Sequence, residues 1–202
     1  MIRARDKAIA AAGLSVIIFS GVLASYHDAW GRFFEMTFLS NTLASVILLV
    51  GAVKLFATGR DIPQVLYLDV SVLLLFVIGI CAAYAPEVCL GGAAIILHLV
   101  NPLLMFAFFS IFCDARTIKL GYVFTALIFP SLYYVFMIAY GRITGGYVYP
   151  YFDPNLYGAG ELIMYAALAA VIMSALGVGV AAGNSAVRSR FERAHGGRRV
   201  AG

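Results

Sequence analysis

Two short groups of polar residues lie inside long apolar stretches of the sequence. Thr37, Ser40 and Asn41 stand at i, i+3 and i+4, so a helix presents all three on one face. His98 and Asn101 are also three residues apart. Hydroxyl and imidazole groups are types that enzymes use for nucleophilic and acid–base chemistry. Polar groups are costly inside a membrane, so each of these residues needs a partner or a function.

A structural role is the alternative for both groups, because hydroxyl and amide side chains also join membrane helices through hydrogen bonds. His98 is the more unusual residue, since no other predicted span contains a histidine. A lone histidine argues against a bis-histidine haem centre, which needs two such ligands. The sequence therefore favours catalysis or ligand binding over electron transfer.

The composition places these residues in a membrane. Of the 202 residues, 63% are hydrophobic and only 12% charged, whereas an ordinary soluble domain is about 25% charged. Six apolar stretches are each close to the ~20 residues with which a helix spans a hydrocarbon core of ~30 Å. They are residues 8–26, 33–55, 66–85, 88–113, 120–140 and 162–183.

These features predict an all-α fold, a polytopic transmembrane bundle of six helices. The stretches are continuously apolar and lack the alternating pattern of a membrane β-barrel. The first stretch follows a basic start but has no clear cleavage site, so we expect it to be retained as a helix. The transmembrane domain is predicted to cover residues 1–184, and residues 185–202 to form a basic, disordered cytoplasmic tail.

The distribution of basic residues supports the six-helix count and gives an orientation. If the connections are numbered alternately, all but two of the 14 Lys and Arg residues fall on one side. The exceptions are Arg32 and Arg142. Basic residues in short loops stay in the cytoplasm, so both termini are predicted to be cytoplasmic. Basic residues beside a membrane suit anionic lipid as a partner, and no nucleic acid is expected.

This orientation brings the unusual segments to the outer leaflet. Thr37 lies about one turn below the outer end of its helix, and His98 is ~10 Å deep at 1.5 Å per residue. The loop before the last helix is also outer and contains Tyr149, Pro150 and Asp153 among several aromatic residues. These three residues are candidates for substrate binding or for a lid, and an interfacial aromatic belt is the alternative.

Three sequence pieces carry a resemblance to a known family. They are FEMTFLSN at residues 34–41, HLVNP at residues 98–102 and YPYFD at residues 149–153. On a six-helix background, their order and spacing resemble the androgen-induced family of six-pass membrane hydrolases, in its bacterial branch. Animal members are threonine hydrolases that split lipid esters in which one fatty acid acylates the hydroxyl of another. The resemblance implies Thr37 as the nucleophile, His98 as its base and the bacterial inner membrane as the location.

The implied chemistry is hydrolysis of a lipid carboxylic ester through an acyl-threonine intermediate. A threonine hydroxyl is a weak nucleophile until a base takes its proton, and neutral imidazole suits that step near pH 7. We expect the Asn41 amide to stabilise the oxyanion, or Asn101 to orient His98. Ser40 is a further candidate for substrate binding. Water is the only co-substrate, so no metal or cofactor is expected, and membrane lipid is both the environment and the substrate.

No carboxylate is clearly placed to complete a triad with the histidine. Asp69 lies inside a predicted span but near the cytoplasmic leaflet, where we expect it to pair with Arg60 or another interfacial cation. Glu35, Asp153 and Glu161 are on the outer side and are expected to be solvated. The sequence therefore predicts a Thr–His dyad without an acid.

Two other interpretations remain open at this point. A noncatalytic bundle that binds lipid has the same apolar surfaces, and a small-molecule transporter also uses polar faces within the membrane. Polar residues thin out below Asn41 and Asn101, which counts against a continuous transport path. Cys81 and Cys89 can pair if their loop brings them together, although buried thiols are favoured for them and for Cys113. The sequence does not predict an oligomeric state.

Overall fold

The structure, a computed structural model, describes residues 3–84, 87 and 91–196, and this part of the chain is helical without any strand. Lipid provides no partner for a free backbone N–H or C=O, and helices satisfy these groups internally. The all-α prediction is therefore confirmed. The α-helices of the described residues are α1 (Ala4–Tyr26), α2 (Met36–Thr58), α3 (Gln64–Tyr84), α4 (Asn101–Phe112), α5 (Ile128–Thr144) and α6 (Ala159–Gly196).

Five helical segments of the described chain are long and apolar enough to cross a membrane. They are α1, α2, residues 64–83 of α3, α5 with the 3₁₀ segment Leu120–Leu127 before it, and residues 159–190 of α6. The fourth apolar segment, Ile96–Phe112, is shorter and measures about 25 Å at 1.5 Å per residue. Its helix starts late because residues 91–93 form a turn in which Gly92 adopts a φ of +53°. Residues 88–90 of this predicted span lie outside the described residues.

The core of the bundle is formed by the α1–α2 pair and by the contacts of α3 with its neighbours. α1 and α2 pack tightly because Ala11 and Ala44 are small, and Ser15 and Ser45 exchange hydrogen bonds between the two helices. α3 lies at the centre and contacts α2, α4 and α6, with Tyr67 fully buried. Large apolar side chains on the outer helix faces stay exposed, as a surface that faces lipid would have them.

One end of the bundle carries most of the basic residues, and we call it the basic end. Lys7 of α1 is 7% exposed, and its ammonium lies 2.6 Å from Asp61 Oδ2 in the α2–α3 loop. The same ammonium is 3.4 Å from the Cys113 thiol and lies over the Tyr67 ring. The Tyr67 hydroxyl donates to Asp61 Oδ1 at 2.9 Å. This cluster joins α1, α3 and the end of α4, as alternate numbering of the connections predicts.

The tail prediction is wrong for the part that the structure describes. α6 runs unbroken through Ser185 to Gly196 instead of becoming disordered at residue 185. Its extension is tied to the α4–α5 loop, because Arg188 donates to the Cys113 carbonyl at 2.6 Å and Glu192 pairs with Arg116 at 2.7 Å. The apolar pattern ends before these residues, and their polar contacts continue the helix. Residues 197–202 of the tail lie outside the described residues.

Two further expectations need correction. Asp69 does not pair with Arg60, since both of its carboxylate oxygens accept the Thr125 hydroxyl at 2.9 Å from the 3₁₀ segment packed against α3. Cys81 is disulfide-bonded and is not a free thiol, whereas Cys113 is a buried free thiol as expected. A pairing of Cys81 with Cys89 involves a residue outside the described part of the chain.

Candidate functional site

The first turn of α2 fixes the position of Thr37. The helix starts at Met36, with Glu35 at its N-cap. The Glu35 carboxylate accepts the Tyr26 hydroxyl at 2.8 Å and pairs with Arg32, so its side chain is only 12% exposed. Glu35 is therefore held against the end of α1 and is not solvated as expected. This contact fixes the approach of the chain to α2 and leaves Thr37 as the second helical residue.

A π-helical turn, Ile96–Val100, positions His98. Pro102 has no N–H to donate to the His98 carbonyl four residues earlier, and its ring crowds that oxygen. The wider turn removes the conflict, and the Asn101 N–H donates to the Ile96 carbonyl, five residues back. The extra residue in this turn changes the helical phase, and His98 faces α2.

The Thr37 hydroxyl oxygen lies 3.1 Å from His98 Nε2. His98 Nδ1 lies 2.9 Å from the Ala94 carbonyl oxygen. A carbonyl only accepts hydrogen bonds, so Nδ1 carries the proton and Nε2 of the neutral ring is left as an acceptor. The Thr37 hydroxyl therefore donates to Nε2. This is the tautomer in which an imidazole can take a proton from a nucleophile.

Asn41 holds the two helices of this pair together. Its amide nitrogen donates to the Thr37 carbonyl at 2.9 Å and to the Leu97 carbonyl at 3.3 Å, and its oxygen accepts from the Asn101 amide at 2.9 Å. Both asparagines are fully buried. Because both amide hydrogens of Asn41 meet carbonyls, its geometry favours a positioning role over the predicted oxyanion role.

Asn101 does not orient His98 as predicted, because the Ala94 carbonyl holds the His98 ring. Asn101 instead contacts α1 and Asn41. Its amide nitrogen is 3.5 Å from the Ile18 carbonyl of α1. Gly21 allows this approach, because a Cβ there would lie 2.8 Å from Ile96 Cγ2 and 3.3 Å from the Asn101 amide nitrogen. α1 thus supports the π turn from behind.

Ser40 is fully buried and donates to the Thr37 carbonyl at 3.2 Å. The Thr37 carbonyl thus accepts hydrogen bonds from both the Ser40 hydroxyl and the Asn41 amide. Such hydrogen bonds stabilise the local helix and leave little of the Ser40 hydroxyl for a substrate. The geometry gives Ser40 a structural contact next to the dyad.

The aromatic loop reaches α2 through one residue. The Tyr149 hydroxyl accepts the Met36 N–H at 3.3 Å, next to Thr37 in the chain. Burial raises the pKa of Tyr149, so this hydroxyl stays neutral. Pro150 is exposed at the start of the 3₁₀ turn Pro150–Phe152, and Asp153 accepts the Asn155 N–H within the loop. Of the three loop candidates, Tyr149 comes nearest to the dyad.

A cavity of about 170 Å³ lies beside the start of α2, and we call it the aromatic cavity. It is bounded by Phe76 of α3, Tyr133 and Tyr134 of α5, Phe152 of the loop and side chains of α6 between residues 165 and 172. Met36 borders it, whereas Thr37 and His98 do not. This cavity is not predicted from the sequence, in which its one signal is the pair of tyrosines Tyr133 and Tyr134 in α5.

Comparison with family models, with curated proteins and with solved structures finds no match for this chain. Among the described residues, no group of three His, Cys, Asp or Glu side chains is placed to hold a metal ion. A function is therefore inferred from the geometry of Thr37, His98 and their neighbours.

Proposed function

We propose that the protein is an intramembrane threonine hydrolase that cleaves a lipid carboxylic ester, with Thr37 as nucleophile and His98 as general base. The observation that carries this proposal is the 3.1 Å contact between the Thr37 hydroxyl and His98 Nε2, with Nδ1 occupied by the Ala94 carbonyl. A nucleophile beside a base that a third group orients is the signature of activated hydroxyl catalysis. The resemblance to the androgen-induced family points to the same two residues.

The reaction proceeds in two acyl-transfer steps. The Thr37 oxygen attacks the ester carbonyl carbon as its proton moves to His98 Nε2. The C–O bond to the alcohol breaks, and the alcohol leaves with that proton. His98 then takes a proton from water, whose oxygen attacks the acyl-threonine. The carboxylic acid leaves, and the proton returns to the Thr37 oxygen.

The start of α2 is the best-placed group to stabilise the oxyanion. The first backbone bond of this helix that skips four residues is the Leu39 N–H to the Glu35 carbonyl, at 3.0 Å. The N–H groups of Thr37 and Phe38 come before it, and such first-turn groups have no acceptor within the helix. Together with the positive end of the helix dipole, they suit a developing negative charge. In this proposal they take the role predicted for Asn41.

We place the Thr37 end of the bundle in the outer leaflet of a bacterial inner membrane, with both termini cytoplasmic. The positive-inside distribution supports this orientation. The disulfide of Cys81 also supports this orientation. Cys81 lies near the C-terminal end of α3, at the same end of the bundle as Thr37, and disulfides persist in oxidising compartments.

The test is labelling with a fluorophosphonate probe, followed by mass spectrometry of the purified protein. We expect an adduct on Thr37 that is absent in Thr37→Ala and is strongly reduced in His98→Gln. Thr42→Ala is the matched control, because Thr42 lies on the same helix and its buried hydroxyl has no hydrogen-bond partner in the described part of the chain. Absence of a Thr37 adduct from folded protein would overturn the proposal.

The aromatic cavity favours a second candidate, a noncatalytic lipid-binding protein. Its apolar walls suit a hydrocarbon group whether or not the dyad is chemically active. This candidate requires ligand binding without any Thr37 adduct, so the same labelling experiment separates the two.

A further inference from the structure

The aromatic cavity has the size of a small hydrocarbon group. Its volume of about 170 Å³ is close to that of an engineered apolar cavity of ~150 Å³ that holds benzene. Most of its wall is aromatic or aliphatic, including Phe76, Ile80 and Ala169. A cavity of this kind accepts a chain segment or a ring of about six carbon atoms.

One buried polar group borders this apolar space. Tyr133 is 6% exposed, and its hydroxyl lies close to the Tyr149 hydroxyl and the Met36 N–H but makes no well-aligned hydrogen bond among the described residues. A buried hydroxyl whose hydrogen bonds are poorly aligned is unfavourable. A ligand oxygen that accepts from Tyr133 removes this penalty. The cavity thus suits an apolar group that carries an oxygen acceptor.

The cavity lies between two helices that touch each other only loosely. In the described chain, α5 and α6 have little direct backbone contact, and the cavity occupies the space between them. The Tyr134 hydroxyl donates to the Leu162 carbonyl at 2.8 Å and joins the two helices near the loop. Leu168 borders the cavity and is itself 54% exposed on the outer face of α6. A ligand can therefore enter sideways from the hydrocarbon phase.

We propose that the aromatic cavity binds the acyl part of a carboxylic ester, with room for about six carbon atoms, and that Tyr133 donates a hydrogen bond to an ester oxygen. Met36 links this site to the dyad, because it borders the cavity and directly precedes Thr37. The link to cleavage rests on the proposed function, whereas the binding itself does not. The cavity then selects esters by the size of their acyl group.

The test measures binding apart from catalysis. Thr37→Ala protein in lipid nanodiscs is titrated with methyl butanoate, hexanoate, octanoate and dodecanoate by isothermal titration calorimetry. We expect affinity to increase up to about six carbon atoms and then to level off. Ala169→Phe fills the cavity and should weaken methyl hexanoate binding at least 10-fold.

Ala167→Phe is the matched control, because this neighbouring alanine is exposed on α6 and does not border the cavity. It should leave the dissociation constant unchanged and report partitioning into the lipid. Tyr133→Phe should weaken methyl hexanoate about 3- to 10-fold, as expected for one lost hydrogen bond. Ala169→Leu, a smaller filling change, should give an intermediate loss if Ala169→Phe does not fold.

Two results would overturn the inference. One is equal affinity in the Ala169→Leu, Ala169→Phe and Ala167→Phe variants, and the other is an affinity that keeps increasing with chain length. If the binding pattern holds but Thr37 is never labelled, the cavity remains a ligand site and the hydrolase proposal fails. If Thr37 is labelled but the Ala169 variants bind methyl hexanoate as tightly as Ala167→Phe, only the cavity inference fails.

Discussion

The Thr37 hydroxyl and His98 Nε2 lie 3.1 Å apart, although the two residues are 61 positions apart in the chain. The contact joins the first turn of α2 to the π turn that leads into α4. Neither element is a regular helix interior at this point, since one is a helix start and the other contains a wider turn. The pair therefore depends on two local departures from regular helix geometry, each of which can be changed separately.

Removing the base should slow the reaction without unfolding the bundle. We expect His98→Ala to lower the turnover number for p-nitrophenyl hexanoate by about 10²- to 10⁴-fold, the usual contribution of a general base. The melting temperature should change little, because within the described part of the chain His98 makes one hydrogen bond to another helix. Initial rates in proteoliposomes measure the effect, with Thr42→Ala as the control. Equal rates in wild type and His98→Ala would refute the assigned role.

Asn41 should affect both stability and alignment. Asn41→Ala removes bonds to the Thr37 and Leu97 carbonyls and leaves the Asn101 amide with only its longer contact to the Ile18 carbonyl among the described residues. We expect the free energy of unfolding to fall by roughly 1–3 kcal/mol. We also expect slower fluorophosphonate labelling of Thr37 at temperatures well below the melting transition. Ser45→Ala, which removes only an α1–α2 contact, should destabilise without slowing the labelling.

Pro102→Ala should keep or raise thermal stability while it lowers the labelling of Thr37. An alanine restores the N–H that the His98 carbonyl lacks, and proline is unfavourable in a helix interior. We expect equal or higher thermal stability, with conversion of the π turn to α-helix and rotation of His98 away from Thr37. Labelling of Thr37 should then decrease by at least 10-fold. A stabilised variant with undiminished labelling would show that the π turn does not position the histidine.

The positions of Thr37 and His98 are partly predictable from the sequence. Equal depth on two helices was enough to bring Thr37 and His98 together, because membrane thickness fixes height. The orientation of His98 was not predictable in that way, since it depends on how Pro102 changes the helical phase. The partner of Nδ1 is a main-chain carbonyl, and main-chain groups do not differ between residue types. The catalytic roles of both residues remain proposals.

The errors elsewhere have a common physical origin. Hydropathy predicted six membrane-spanning stretches, and five helices of the described chain are long and apolar enough to cross a membrane. Hydropathy also does not detect helices that polar contacts maintain, such as α6 beyond Ser185. The aromatic cavity arises where α5 diverges from α6, and such packing depends on side chains from α3, α5, α6 and the loop together. Asp69 accepts a hydrogen bond from Thr125 and does not pair with Arg60, because the Thr125 hydroxyl lies next to it within the bundle.

The buried ion pair at the basic end gives a prediction about stability. Lys7→Met should lower the free energy of unfolding by about 3 kcal/mol, because it leaves the Asp61 carboxylate without its cation. The double variant Lys7→Met with Asp61→Asn should be less destabilised than Lys7→Met alone, since no unpaired charge remains. Chemical unfolding of all variants in the same detergent measures this cycle. Strict additivity of the two single changes would contradict the coupling.

Acid should loosen the extension of α6 before it affects the rest of the bundle. The Arg116 guanidinium holds the pKa values of Asp114 and Glu192 below their usual range. A lowered folded-state pKa gives stability that is present above the unfolded value, near pH 4, and is lost as the pH falls through the folded value. We therefore expect hydrogen exchange after Ser185 to accelerate below about pH 4. Arg116→Gln should show the faster exchange at neutral pH as well.

The Ala94 carbonyl, which orients His98, has a consequence for genetics. Every residue type supplies the same main-chain oxygen, so no single amino-acid exchange deletes this acceptor. A saturation screen for loss of hydrolysis would therefore find intolerance at Thr37 and His98 but tolerance of many side chains at Ala94. Of the three groups at this centre, the Thr37 and His98 side chains can be removed by single substitutions, whereas the Ala94 carbonyl cannot.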